Sequence, residues 1–200
     1  MKTLPLMRSL IALVILFSAF QSQANLITNG NFDSPVPTVG SGGGWTASGN
    51  DAAGGYQTVS GDSFFIMNAA GENATDPSIS QTLTGLTIGQ QYDVSGDFTD
   101  YYGCSYCDPA ALSFGIALSP GGLLLEASHP GFFPDWFTFA TSFVASALSH
   151  DIIFTSERSG TDYAYAIDNI IVTAAVPEPS IIALFGLGLV GIGFARRRRS

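Results

Sequence analysis

The chain is 200 residues long and carries 16 acidic against 7 basic residues, a formal net charge of −9. Six of the seven basic residues sit at the two ends, so the span 25–176 holds 15 carboxylates against the single cation Arg158, a formal charge of −14 with no lysine. That balance excludes a basic surface for phosphate, and with it ordinary nucleic-acid binding. It also excludes lysine Schiff-base chemistry and argues against adhesion to anionic lipid, while it suits solubility and divalent cations.

In chain order, Lys2 and Arg8 precede an apolar run from Leu10 to Phe20, and Ser22-Gln23-Ala24 follows. A basic start, a short apolar middle and small residues before a cut at Asn25 describe a secretory signal peptide over 1–24, helical in its apolar part. The alternative, a buried N-terminal helix, lacks amphipathic spacing.

From Asn25 to Val176, Gly, Ser, Thr, Asn and Asp punctuate short β-type segments, and no stretch shows sustained helical spacing with caps. Strands are predicted at Asn25 to Thr28, Tyr56 to Val59, Ser63 to Asn68, Ser78 to Leu83, Tyr92 to Thr99, Leu112 to Leu118, Asp135 to Phe143, His150 to Thr155 and Tyr163 to Thr173. Three of them alternate clearly. Tyr92, Val94 and Phe98 share one face; Leu112, Phe114, Ile116 and Leu118 share another; Phe137, Phe139 and Phe143 point inward together. This half-buried alternation belongs to packed antiparallel sheets. About ten strands without a strong repeat predict an all-β, two-sheet antiparallel jelly-roll sandwich over 25–175.

Cys104 and Cys107 are the only cysteines, and in an exported chain such a pair is expected to close a disulfide. A thioredoxin-like redox pair would need a surrounding βαβ pattern, and a zinc site two further ligands. The same loop carries Tyr101, Tyr102 and Tyr106 between two aspartates. Exposed aromatic faces with polar neighbours suit a pyranose ring, which presents C–H faces and hydroxyls. A staple there would lower the entropy lost on binding. Trp136, opposite in alternation to Phe137 and Phe139, is a second candidate ligand-binding residue. The plainer alternatives are a self-packed loop and an edge anchor.

No Gly-x-Ser-x-Gly elbow and no His-Glu-x-x-His occurs, and the two histidines, His129 and His150, form no recognisable catalytic set. The expectation is a protein that is not an enzyme. Chance pairs among 15 carboxylates carry no information about glycoside hydrolysis.

At the far end, Pro177-Glu178-Pro179 precedes an uncharged run, 181–195, that Arg196, Arg197, Arg198 and Arg199 close. A helix of that length spans about 22 Å, and Ser180 and the snorkelling arginine stems extend it toward the ~30 Å hydrocarbon core. Four arginines resist translocation and act as the membrane stop, which leaves the β-rich body outside the cytoplasm.

The order of parts over 176–200 resembles the PEP-CTERM sorting signal of Gram-negative bacteria. The resemblance implies an exosortase as partner, transient anchoring in the inner membrane, a cut near Pro177-Glu178-Pro179, and a final place at the cell surface or outside the cell.

Asn25-Leu26-Ile27-Thr28-Asn29-Gly30-Asn31-Phe32-Asp33, with Trp45 beyond a Pro/Gly-rich turn, resembles the opening of galactose-binding-like jelly rolls, which include many carbohydrate-binding modules. Ser80-Gln81-Thr82-Leu83 with Gly89 to Val94, and Ala166 to Val172, resemble that family's central hairpin and last strand. The resemblance implies a structural Ca²⁺ between the terminal strands, held by Asp33 and Asp168 with backbone carbonyls. The plainer alternative has Asp33 capping a turn and Asp168 bonding backbone amides. The function expected is a non-catalytic exported protein that binds or organises extracellular polysaccharide. A self-assembling matrix protein and a secreted hydrolase are the alternatives.

Overall fold

Eleven strands in two antiparallel sheets account for the regular structure of this computed structural model, which describes residues 24–50, 54–68, 76–101, 113–127, 134–157 and 164–176. The strands are β1 (Gly40–Gly42), β2 (Trp45–Ser48), β3 (Gly55–Val59), β4 (Asp62–Asn68), β5 (Ser78–Thr84), β6 (Gln91–Asp100), β7 (Ser113–Ser119), β8 (Gly122–Ala127), β9 (Phe137–Val144), β10 (Ser149–Glu157) and β11 (Ala164–Ala174). One sheet has the order β1-β2-β5-β10-β7-β8 and the other β3-β4-β11-β6-β9. From β4 onward the chain changes sheet at almost every connection, which makes the predicted jelly roll. Among the described residues there is no helix long and apolar enough to cross a membrane. The signal segment, the run 181–195 and the sorting residues lie outside the described residues.

The core forms where the inward faces of the two sheets meet. Phe98 of the five-stranded sheet stacks on Phe114 of the six-stranded sheet at 4.9 Å, and Trp45 meets Phe154 edge-on at 6.0 Å. Of the predicted inward sets of β6, β7 and β9, Tyr92, Val94, Phe98, Phe114, Ile116, Leu118, Phe139 and Phe143 are buried in one cluster and Phe137 packs half-buried against it, while Leu112 lies outside the described residues. Each large side chain fully buried there contributes about 1.5–3 kcal/mol.

Asn25 to Thr28 is not a strand, contrary to expectation. Its hydrogen bonds go largely to side chains instead of along a backbone ladder. The Asn25 carboxamide accepts from Val172 N (2.9 Å) and Ile27 N (3.0 Å) and donates to Ile170 O (3.2 Å). Leu26 N donates to Val172 O at 2.8 Å and Ile170 N to Gly30 O at 2.9 Å, so this latch is tied to β11. On the other sheet, the Gln81 carboxamide of β5 accepts from Thr28 N (2.7 Å) and donates to Thr28 O (2.9 Å), as a backbone neighbour would. Asn29, with φ 54°, turns the chain, and its carbonyl accepts from Trp45 Nε1 at 3.0 Å. Phe32 then enters the core against Trp45 and Phe65.

Sequence reading missed β1, β2 and β8. The first two are short, and Leu123-Leu124-Leu125 in β8 has no alternation because this edge strand packs only in part against the core. His150 is structural and buried. Ser146 N and Ala147 N both point at its Nε2, which must accept, so Nδ1 carries the proton and donates to Pro120 O at 2.6 Å.

A Cβ on Gly30 would stand 2.1 Å from Ile170 O, whereas one on Gly61 would meet nothing within 4 Å. Gly30→Ala is therefore expected to lower unfolding free energy in urea by about 2–3 kcal/mol through displacement of the latch. Gly61→Ala, which carries only the strain of φ 88°, should cost about 1 kcal/mol. Equal losses would mean that the latch contributes little.

Candidate functional site

The outer face of the five-stranded sheet carries a second, smaller apolar cluster formed by Phe64, Ile66, Ala164 and Ala166, with Val59, Tyr101 and Trp136 packed on it. The run Phe64-Phe65-Ile66-Met67 in β4 explains it. Phe65 and Met67 enter the sandwich, so Phe64 and Ile66 must point out, and all four are buried. Register sets the neighbours. Ile66 pairs with Ala166, and Ala166 with Thr99. Phe98 pairs with Phe137, so Trp136, the residue just before β9, emerges on the same outer face as Thr99.

Tyr101 and Trp136, separate candidates in the sequence, come together around Phe64. The Phe64 ring lies 5.4 Å from Tyr101, tilted by 53°, and 5.6 Å from Trp136, edge-on at 69°. Phe64 is buried, whereas Tyr101 and Trp136 are half-buried. Phe64 itself was not singled out from sequence. The signal for it is the unbroken apolar run in β4, which means a covered face on both sides of the sheet. Tyr102, Tyr106, Cys104 and Cys107 lie outside the described residues, as does His129.

The next row of the same face is acidic. Asp168 of β11 pairs with Asp97 of β6, just before a bulge that Asn169 makes with φ 53°. The Asp97 carboxylate accepts from Thr138 Oγ1 at 2.8 Å and from Asn169 Nδ2 at 3.1 Å. Asp168 accepts from Asn169 N at 2.7 Å. Burial pushes the Asp168 carboxyl up to about 7, and the charges of Asp62, Asp97 and Asp33 push in the same direction against the Asn169 bond. Asp33 is exposed and accepts from Asn31 Nδ2. The two predicted metal residues are thus near enough for one to feel the other's charge. Among the described residues, however, no three His, Cys, Asp or Glu side chains stand together as metal ligands.

Residues 175–199 match the PEP-CTERM protein-sorting motif. Such a motif marks a protein anchored at the membrane and then exported to the surface or beyond, with an exosortase handling the signal. No curated protein matches the sequence. Among solved structures, the carbohydrate-binding module TmCBM61, determined with β-1,4-galactotriose, is similar over 76% of this chain and 99% of its own, with a TM-score of 0.55 at 15% identity. A protein of Bacteroides thetaiotaomicron solved as a candidate sugar-binding protein is similar over 76% of this chain and 100% of its own, with a TM-score of 0.52 at 10% identity. At such identities the likeness is one of fold. The sandwich is built as carbohydrate-binding modules are.

In metal-free protein the folded Asp168 holds its proton up to about pH 7, whereas the unfolded chain releases it near the ordinary value of 3.8. The group's contribution is fully present below the unfolded value and is lost as pH rises through the folded one, so stability falls across that window. With chelator present, the melting temperature should be lower at about pH 8 than at about pH 5, and Asp168→Asn should flatten that difference. An unchanged slope in the variant would assign the pH dependence to other carboxylates.

Proposed function

We propose that this is a non-catalytic, exported glycan-binding domain whose ligand surface is formed by Tyr101 and Trp136, gathered over the buried ring of Phe64 on the five-stranded sheet. The ligand class is extracellular polysaccharide, which the domain meets outside the cytoplasm, where an exosortase cuts the chain near Pro177-Glu178-Pro179. The observation that carries this reading is the gathering of Tyr101 and Trp136 around Phe64 within 5.6 Å, beside the polar row of Asp97, Thr138 and Asn169. Ring faces receive the C–H side of a sugar, and carboxylate, hydroxyl and amide groups receive its hydroxyls.

Hydrolysis has one feature in its favour, the Asp97–Asp168 pair with one member held protonated near neutrality. Asp168, the member that would donate the proton, is buried, so it is not offered to a scissile bond.

Trp136→Ala and Tyr101→Ala should each weaken binding in a glycan array and in calorimetry, by about tenfold for a lost ring contact. Wild-type affinity in both variants would move the site elsewhere. Binding to no glycan together with concentration-dependent assembly would favour a self-assembling matrix protein.

Calcium belongs to the same proposal. Asp168 is a buried carboxylate among like charges, and a hard divalent cation would replace its proton. Asp33 and Asp168 would hold the ion, with backbone carbonyls and water completing the oxygen shell. Calcium at a hundredfold excess over its Kd should then stabilise the fold by about 2.7 kcal/mol, and Asp168→Asn should abolish the gain. A melting point indifferent to both calcium and chelator would remove the ion from the account.

A further inference from the structure

We propose that the six-stranded sheet carries a second carbohydrate-binding surface, a hydroxyl-lined cleft that recognises a neutral polyhydroxylated chain without ring stacking and makes the domain bivalent toward glycans. The cleft stands apart from the aromatic patch; only the bivalence rests on that reading.

The cleft has a volume of about 480 Å³ and is lined by Leu26 and Thr28 of the latch and by Ser80, Thr82, Thr84 and Asp151 on β5 and β10. That volume falls within the range of small-ligand sites, about 300–1,000 Å³. Its chemistry is narrow. There is no cation in the lining to hold phosphate or carboxylate, and no aromatic ring to hold a flat apolar group. What remains is mainly a field of hydroxyls with one carboxylate; Thr82 Oγ1 and Ser80 Oγ already donate within the protein, to Asp151 and to Thr46 O, and keep lone pairs to accept from a ligand.

Alternation places Ser80, Thr82 and Thr84 on one face of β5, about 6.8 Å apart along the strand, and pairing places Thr82 beside Asp151 on a strand about 4.8 Å away. Thr82 Oγ1 donates to Asp151 Oδ1 at 2.6 Å, which leaves the second carboxylate oxygen to accept from a ligand hydroxyl. The two strands thus offer a polyhydroxylated ligand hydroxyl and carboxylate groups at several points along the cleft.

The cleft is also held rigid. Gln81 is more than nine-tenths buried, and its carboxamide is fixed by Thr28 N, Thr28 O and Gly44 O at 2.7, 2.9 and 2.9 Å. The latch residues of the lining are thereby pinned over β5, so little conformational entropy is lost when a ligand settles. The aromatic patch and this cleft lie on the outward faces of two sheets packed about 10 Å apart. A chain bound on each face would be joined through one domain, which is the geometry of a cross-linker.

The test uses the full mature chain with soluble β-1,4-galactan, xylan and the polysaccharide washed from the native host's own surface, read by calorimetry and light scattering. Wild type should bind two glycan segments per chain and scatter strongly through cross-linking. T82V/D151N removes both ends of the Thr82–Asp151 bond together and so leaves no stranded carboxylate. It should bind one segment and no longer cross-link, as should W136A. Combining them should lower the remaining affinity by at least about tenfold.

Unchanged stoichiometry and cross-linking in T82V/D151N would overturn the cleft, as would loss of all binding in W136A alone. Loss of all binding in T82V/D151N with W136A unaffected would overturn the aromatic reading and the bivalence but keep the cleft. Binding to none of the three glycans would overturn both surfaces. Should T82V/D151N melt low, Thr84→Lys, an exposed change that crowds the cleft, takes its place with the same outcomes.

Discussion

Asn25 and Gln81 do for this sandwich what a further strand would otherwise do. One carboxamide caps the end of the latch against Ile170 and Val172, and the other completes the backbone bonding of Thr28 from the opposite sheet. A segment of ten or so residues is thereby anchored to both sheets at once. Asn29 and Phe32 take left-handed backbone conformations so that the Asn29 carbonyl meets Trp45 Nε1 and the Phe32 ring enters the core. The rest follows from that closure. Trp45 is packed, the bulge at Asn169 is braced through Ile170 N, and the Asp168 carboxylate is held on its buried row.

The outer face of the five-stranded sheet divides by chemistry along its strands. Phe64, Ile66, Tyr101 and Trp136 gather at one part, and Asp62, Asp97 and Asp168 at the next. Such a division is costly for a fold alone. Apolar rings on an outward face gain less than rings in the core, and like charges crowd the buried Asp168. The ligand proposed above, with C–H faces and hydroxyls, would complement both parts.

Several features were legible from the chain itself. Period-two alternation in Tyr92–Val94–Phe98 and Phe137–Phe139–Phe143 identified inward faces correctly, because in a strand side-chain direction is fixed by parity. The same parity put Trp136 on the opposite face from Phe137. The sorting tail was readable because its signal is local, an ordered set of parts within 25 residues of the C-terminus. Phe64 was not readable by alternation, since an apolar residue at every position of β4 gives no preferred face. Nor was the latch, because Asn25 to Thr28 has the composition of a strand and only its partners, 53 to 147 residues away, reveal that side chains satisfy it.

The sequence by itself determined the all-β class, the acidic charge of the body, the inward faces of the alternating strands and the sorting motif at the tail, since each is read along the chain. The tertiary structure alone decided which strands pair, that Tyr101 and Trp136 converge on Phe64, that Asp168 stands opposite Asp97, and that a hydroxyl-lined cleft opens beside the latch on the other sheet. Those are contacts between distant segments, and they are set by sheet register, which no local pattern records.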